Sequence, residues 1–440
     1  MAHISKAQGT PPDWRNDPRW AGISRHYSPA DLQRLRGSLQ IEYTLARVGA
    51  ERLWDLLHTE PYVAALSALT GNQAVEQARA GLKAIYASGG QAVAGAHAAH
   101  ELYPDLHGFA AESTPHLVAT INKALQHADQ TYHAEGRNDT RWFLPVVADA
   151  ECRAGGSLNA FELMKALVEA GAAGVNFKDQ LFAVNAFGQF QGDVVMPTRA
   201  LLEKLIAARL AADVMGVPAV LIARTDAYSA RYVENDSDPQ DEAFRSSARG
   251  AEGYFGYRGG LEAAIARGLA YAPYADLLLF ETPRPELREA RRFADAIRAA
   301  YPGKLLAYNC SPPLDWSQQL DATTIRNFQG ALSAMGYRFQ FVALAGYQSV
   351  SLGMFELARR YREAGMAAFA RLHQAELELA RISGCEALKP LRNAGAGYLD
   401  EVARTIAGLG TGNGAGGRAW EERRGRETEL VSVPAKRTDS

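Results

Sequence analysis

Eight short apolar runs, each ending in polar or charged residues, constrain this chain more than any other feature. They are Tyr62–Leu69, Ala84–Ala87, Leu144–Ala148, Gly174–Phe177, Ala219–Ala223, Leu277–Phe280, Leu305–Tyr308 and Arg338–Ala343. Amphipathic helical patterns separate most of them; Asn159–Ala170, Arg199–Met215 and Pro285–Ala300 are the clearest. Apolar strands alternating with helices describe a parallel sheet covered on both faces. Eight such units predict an α/β fold, a (β/α)8 TIM-type barrel, with its site at the carboxyl ends of the strands. Ordinary turn chemistry explains Gly, Asn and Ser after strands. It explains Asp149, Glu151, Arg224 and Glu281 less well, since four charged groups would then crowd one mouth.

Helices are expected before and after the barrel. Ser28 can cap a helix that opens on Pro29, the favoured first position for proline. The reading divides the chain into an N-terminal helical segment (1–60), the barrel (61–350) with a polar insertion (228–260), C-terminal helices (351–407) and a flexible tail (408–440). In the tail, Gly412 to Gly417 matches G-x-G-x-x-G, but no strand precedes it, so it does not read as a nucleotide loop.

The 440 residues are 47% hydrophobic, enough for a large core, and the net charge is −2, which gives no footprint for nucleic acid or an anionic membrane. No uncharged apolar run approaches the ~18 residues of a membrane span. Cys152, Cys310 and Cys385 have no CxxC spacing, so a reducing cytoplasm fits better than a disulfide scaffold. The start, Met-Ala-His-Ile-Ser-Lys, lacks the apolar stretch of a secretory signal.

Between His133 and His373 there is no histidine, so the last six strands and their loops are not expected to build a Ser-His-Asp triad or a multi-His metal site. What remains is carboxylates, one Arg, amides and hydroxyls. Hard oxygen donors suit Mg²⁺. Asp149 and Glu151, two apart on a strand end, project to one side if the strand stays extended. Arg224 is suited to clamp a carboxylate with two parallel hydrogen bonds. These residues predict an enzyme acting on a small carboxylic acid held through Mg²⁺.

Leu35-Arg-Gly-Ser-Leu-Gln-Ile, Leu69-Thr-Gly-Asn-Gln-Ala-Val, Ile206-Ala-Ala-Arg-Leu-Ala-Ala-Asp-Val and Tyr308-Asn-Cys-Ser-Pro carry a resemblance to the isocitrate lyase family, which extends from about Trp14 to about Ala407. The resemblance implies a Mg²⁺-dependent lyase in a helix-swapped homotetramer, releasing glyoxylate and succinate from isocitrate by a retro-aldol (Claisen-type) step. It implies that Asp149 is the direct metal ligand and that Glu151 and Asp105 reach the metal through water. Ser88, Gly89 and Arg224 match groups that hold the glyoxylate carboxylate. Tyr86 matches a tyrosine proposed as base for the substrate hydroxyl, Glu281 a polar pocket residue, and Asn309 and Ser311 succinate contacts.

The departures from the family are clustered. Its Lys-Lys-Cys-Gly-His loop, which carries the catalytic acid, is Asn185-Ala-Phe187-Gly-Gln189 here. A Trp is Gly90, a Ser is Pro313, a Thr is Ala343, and the metal-shell Glu is Lys178. Two unit charges about 4 Å apart interact by roughly 4 kcal/mol at an effective dielectric near 20, so that reversal matters to Mg²⁺. Loss of a positioned acid costs about 10²–10⁴ in rate. The expectation is a lyase acting on a 2-hydroxy or 2-oxo acid other than isocitrate, in a pocket opened by Gly90 and made more apolar by Phe182, Phe187, Phe190, Leu279 and Phe280. The alternative is a non-catalytic paralogue that binds a metabolite or joins an active subunit.

Overall fold

The computed structural model describes Trp14 and residues 16–94, 112–150, 155–181, 193–250, 253–311, 315–385 and 397–407. Eight strands close into a parallel barrel: β1 (Val63–Ser67), β2 (Ala84–Ala87), β3 (Val146–Ala150), β4 (Gly174–Lys178), β6 (Val220–Thr225), β10 (Leu277–Phe280), β11 (Leu305–Asn309) and β12 (Tyr337–Val342). Each overlaps one of the apolar runs, with ends shifted by a few residues; the third starts at Val146 rather than Leu144. Around the barrel the order is β1-β12-β11-β10-β6-β4-β3-β2. This closed barrel is the expected α/β, TIM-type fold.

Alternation along the strands sorts the core into two layers. Val63, Ala65, Tyr86, Val147, Val220, Ile222, Leu277, Leu279, Ala307, Phe339 and Phe341 fill the lumen. Their neighbours, such as Ile85, Val175, Leu221, Leu278 and Leu306, face the surrounding helices. Leu53 and Leu57 of the Thr44–Thr59 helix join the lumen cluster and close its lower end. The helices start and stop where local chemistry dictates. Ser28 and Asp31 form a reciprocal capping box, as do Thr70 and Gln73. Gly216 ends the Thr198–Met215 helix at φ 72°, a left-handed cap that suits glycine.

The lower face carries a buried ionic and aromatic cluster. Arg19 and Arg209 bind opposite oxygens of Asp276, at 2.7 and 2.5 Å, while Arg25 and Tyr27 bind Asp213. Arg19 lies over the rings of Trp20 and Trp54, and Arg25 over Trp14 and Trp20. Burial opposes the charge on Asp276, but the two guanidiniums overcome it and hold its carboxyl well below the ordinary range.

The polar stretch after β6 folds against β5 (Asp193–Val195). There β7 (Ala230–Val233), β8 (Arg245–Arg249) and β9 (Phe255–Tyr257) form a second sheet of order β5-β7-β9-β8 over a small apolar core of Val195, Ala230, Val233, Phe255 and Tyr257. Arg267, fully buried, ties this sheet to the barrel: it donates to Asp179 at 2.9 Å, Asp241 at 2.8 Å and the Met196 carbonyl at 2.9 Å.

The helices Ala345–Ala364, Met366–Ser383 and Tyr398–Ile406 follow β12 and leave Leu352, Phe355, Met366, Ile382 and Ile406 exposed. Among the described residues no helix is long and apolar enough to cross a membrane. The 408–440 tail lies outside the described residues.

Candidate active site

The upper ends of the strands bring most of the predicted residues into two hydrogen-bonded groups. The first is built on β2, β3 and β4. The Tyr86 hydroxyl donates to Asp149 Oδ1 at 2.5 Å, and Asn176 Nδ2 reaches both Tyr86 Oη (3.0 Å) and Asp149 Oδ1 (3.2 Å). The Gly89 N–H donates to Asp149 Oδ2 at 3.2 Å. Strand register sets this up: Asp149 lies beside Asn176 across the β3–β4 pair, and alternation turns both inward. Ser88 is buried, its hydroxyl accepting from the Gln91 N–H.

Burial, reinforced by the Asp149 charge, pushes the Tyr86 phenol well above its ordinary value. Tyr86 is thus a phenol whose O–H is hydrogen-bonded to Asp149.

The second group runs from β6 through β10 and β11 to β12. Arg224 makes a two-pronged contact with Asp226, Nε to Oδ2 at 2.9 Å and Nη2 to Oδ1 at 2.6 Å. Its Nη1 lies 3.2 Å from Glu281 Oε2. Asn309 Nδ2 donates to Glu281 Oε1 at 3.0 Å. The Ser311 hydroxyl donates to Asn309 Oδ1 at 2.7 Å and accepts from the Ala343 N–H at 2.6 Å. The two residues matched to succinate contacts are thus bonded to each other. Burial pushes the Glu281 carboxyl up, Asp226 adds to it, and Arg224, Asn309 and Lys178 pull back; the result is about 7.

Gln180, Arg224, Asp226, Ser229, Glu281, Thr282 and Pro283 line a cavity of about 210 Å³. Six of these seven residues are polar or charged, and Phe280 is not among them. Phe280 faces outward and stacks on Phe293, with ring centroids 5.0 Å apart. Leu279 sits lower in the lumen. The expectation that both residues make the pocket more apolar is therefore corrected: between Leu279 and Glu281, which face in, alternation turns Phe280 out. Where the resemblance places a Trp, a Cβ built on Gly90 meets nothing within 4 Å.

Asp149 fits a single metal bond. An ionised carboxylate offers about four acceptor positions; Tyr86 and Asn176 occupy Oδ1 and Gly89 one position on Oδ2, which leaves one on Oδ2. Glu151 and Asp105 lie outside the described residues, as do Phe182, Phe187, Gln189, Phe190 and Pro313. Among the described residues no three His, Cys, Asp or Glu side chains cluster as a metal site. Lys178 is paired in register with Arg224 across β4 and β6, which sets two cations side by side at the mouth.

Three residues of the site were not singled out from sequence. Asn176 donates to Tyr86 and Asp149, and its Oδ1 is buried without a partner among the described residues. Asp226 grips Arg224. Asp179, fully buried, accepts from the Asp226 N–H at 2.8 Å and from Arg267, Thr225 and Tyr271. The sequence signal for Asp226 was its place two residues beyond Arg224.

The model of the isocitrate lyase family matches residues 11–248 and 244–423. The isocitrate lyase of Halalkalibacterium halodurans is 53% identical over 395 residues, which cover 90% of this chain and 92% of that protein. Isocitrate lyase 1 of Mycobacterium tuberculosis is 46% identical over 395 residues, again 90% and 92%. Among solved structures, oxaloacetate acetylhydrolase with 3,3-difluorooxalacetate is similar at a TM-score of 0.54 and 21% identity, covering 84% of this chain and 99% of that one. The trigonal form of 2,3-dimethylmalate lyase is similar at 0.54 and 18%, covering 83% and 98%. The likeness to these two is one of fold.

Proposed function

Because the chain belongs to the isocitrate lyase family, we propose that it is a carbon–carbon lyase whose substrate is a 2-hydroxy or 2-oxo acid other than isocitrate, cleaved or formed with glyoxylate or a relative as one partner. The observation that carries this reading is the contrast between the two halves of the site. Ser88, Gly89 and Arg224, matched to the carboxylate of the 2-oxo acid, and Asp149, matched to the metal, lie at the upper strand ends. On the other side, Asn309 and Ser311 satisfy each other, and Ala343 offers its backbone N–H to Ser311 rather than a side-chain hydroxyl to a ligand. For the Ser311 hydroxyl to hold a second carboxylate, it would have to give up its bond to Asn309. Phe187 in the loop can neither donate nor accept a proton.

In this reading Arg224 clamps the carboxylate of the 2-oxo acid. Three of its five N–H donors face Asp226 and Glu281, which leaves two for a ligand. Gly89 and Ser88 close the other side of that carboxylate. Mg²⁺ would be held by Asp149 Oδ2, with Glu151 and Asp105 through water, and would polarise the oxygen on C2 of the substrate. Tyr86, bonded to Asp149, would then be close to that oxygen. The exposed apolar side chains of the three C-terminal helices support assembly into a homotetramer. The same surface favours a second reading, a non-catalytic subunit that co-assembles with an active lyase.

The test is an assay of the purified protein with Mg²⁺ against isocitrate, 2-methylisocitrate, 2,3-dimethylmalate and oxaloacetate. Cleavage of one of the latter three at least ~100-fold faster than isocitrate is expected. Isocitrate turnover at a rate ordinary for a lyase refutes the altered-substrate reading, and no turnover of any of them favours the subunit reading.

A further inference from the structure

We propose, resting on the lyase reading above, that Glu281 is the acid that delivers a proton to the carbanion released when the carbon–carbon bond breaks. Glu281 lines the cavity together with Arg224, Asp226 and Gln180, where a substrate held by Arg224 would lie. Its two oxygens differ. Oε1 accepts from Asn309 Nδ2 at 3.0 Å, whereas Oε2 is buried and, among the described residues, receives no aligned hydrogen bond, Arg224 Nη1 approaching it only as a charge contact at 3.2 Å. Oε2 is therefore the oxygen on which a proton can sit without displacing an existing donor. Arg224 does not need Glu281 as its counter-ion, because Asp226 already takes two of its donors in line. Where two carboxylates meet one guanidinium away from water, one of them favours the neutral form, and the in-line bonds assign that role to Glu281 rather than Asp226.

The surrounding groups agree. Arg224 on β6, Asp226 just beyond it and Lys178 on β4 act on Glu281, and the Glu281 charge is felt by Tyr308 on β11 and Cys310 just beyond it. Lys178 and Arg224 favour the carboxylate, while burial and Asp226 favour the acid and prevail, so Glu281 titrates at about 7, where an acid–base catalyst is most effective. Burial pushes the Cys310 thiol up to about 12 and the Tyr308 phenol upward as well, so both hold their protons too tightly to donate. Tyr86 already donates to Asp149.

The step balances without a further reagent. The substrate hydroxyl gives its proton to a base, the C2–C3 bond breaks with its electron pair passing to C3, and C2 becomes the carbonyl carbon of the 2-oxo acid. The Oε2–H bond of Glu281 breaks as a C3–H bond forms. The carboxylate left behind lies beside Arg224 and Lys178, and a solvent proton restores the acid.

The experiment uses full-length protein, Glu281→Gln and Glu281→Asp, with the four acids named above, and follows kcat, KM and their pH profiles together with the infrared carboxyl band. Wild-type kcat is expected to fall above pH about 7. Glu281→Gln should lose at least ~100-fold in kcat with KM changed less than 3-fold, should lack the alkaline limb, and should lack a protonated-carboxyl band that titrates near pH 7 in the wild type. Glu281→Asp, which keeps a proton but withdraws it from the cavity, should fall between the two and covers failure of the amide variant to fold. Wild-type turnover that survives in Glu281→Gln within 3-fold, or a wild type with no such band, overturns the acid role and leaves the lyase reading standing. No turnover of any of the four acids by the wild type sinks both.

Discussion

Asp179→Asn is the most demanding perturbation of the scaffold behind the site. Asp179 accepts from Arg267, Thr225 and Tyr271 at Oδ2 and from the Asp226 N–H at Oδ1. Four donors converge, so an amide placed there must point its NH₂ at one of them. The change also removes one of the two carboxylates that neutralise buried Arg267, leaving Asp241. Breaking one side of a buried ion pair costs about 3–5 kcal/mol. Burial holds the Asp179 carboxyl above its ordinary value in spite of Arg267, so part of its charge is already disfavoured, and the lower end, about 3 kcal/mol, applies. At roughly 2.1 cal/mol/K per residue, the unfolding entropy of 440 residues is roughly 0.9 kcal/mol/K, so Tm should fall by about 3–4 °C. Releasing the Asp226 N–H also loosens the carboxylate that holds Arg224, so glyoxylate should bind at least ~5-fold more weakly. Thermal unfolding by circular dichroism at fixed protein concentration and calorimetric titration with glyoxylate measure the two effects. A Tm within 1 °C of wild type, with unchanged glyoxylate binding, would refute the reasoning that this network positions Arg224.

Three further outcomes follow from the site. Because the Glu281 carboxyl is raised from 4.5 to about 7, its protonated form is favoured by folding; its contribution is fully present below pH about 4.5 and is lost as pH rises through about 7, so Glu281→Gln should gain relative to wild type across that window by up to about 3 kcal/mol, read from melting curves at pH 5 and 8. Arg224→Met should abolish calorimetric glyoxylate binding and also destabilise the fold, since it strands Asp226. Phe187→Cys combined with Gln189→His should leave isocitrate cleavage at least ~10-fold below that of an ordinary lyase, because Gly90, Lys178, Pro313 and Ala343 are unchanged; full recovery of the rate would show that the loop alone decides.

The barrel was legible because its strands are short, apolar and regularly spaced, and a strand buried on both faces has no other way to satisfy its composition. The orientation of single side chains was less so. Phe280 was assigned to the pocket from its neighbourhood, although alternation with Glu281 turns it against Phe293. Asp226 follows from the same alternation and went unused. Asn176 and Asp179 were invisible for a different reason: their importance lies in partners 27 to 92 residues away in the chain, such as Asp149 and Tyr271, and no local pattern encodes a contact of that range. That Asn309 and Ser311 spend their hydrogen bonds on each other is likewise a fact of geometry.

The lower face of the barrel has a consequence for the upper one. Arg19, Arg25 and Arg209, pinned among Trp14, Trp20 and Trp54 and anchored on Asp213 and Asp276, lock the chain's entry segment to the strand beginnings and share no side chain with the mouth. Side chains that far apart, with no shared partners, contribute nearly additively to stability. A lineage can therefore exchange residues at the mouth one after another, each near-neutral for folding, while the opposite end keeps the protein above its threshold for persistence. The separation of anchoring from chemistry makes such a chain able to sample new substrates before it has perfected any one of them.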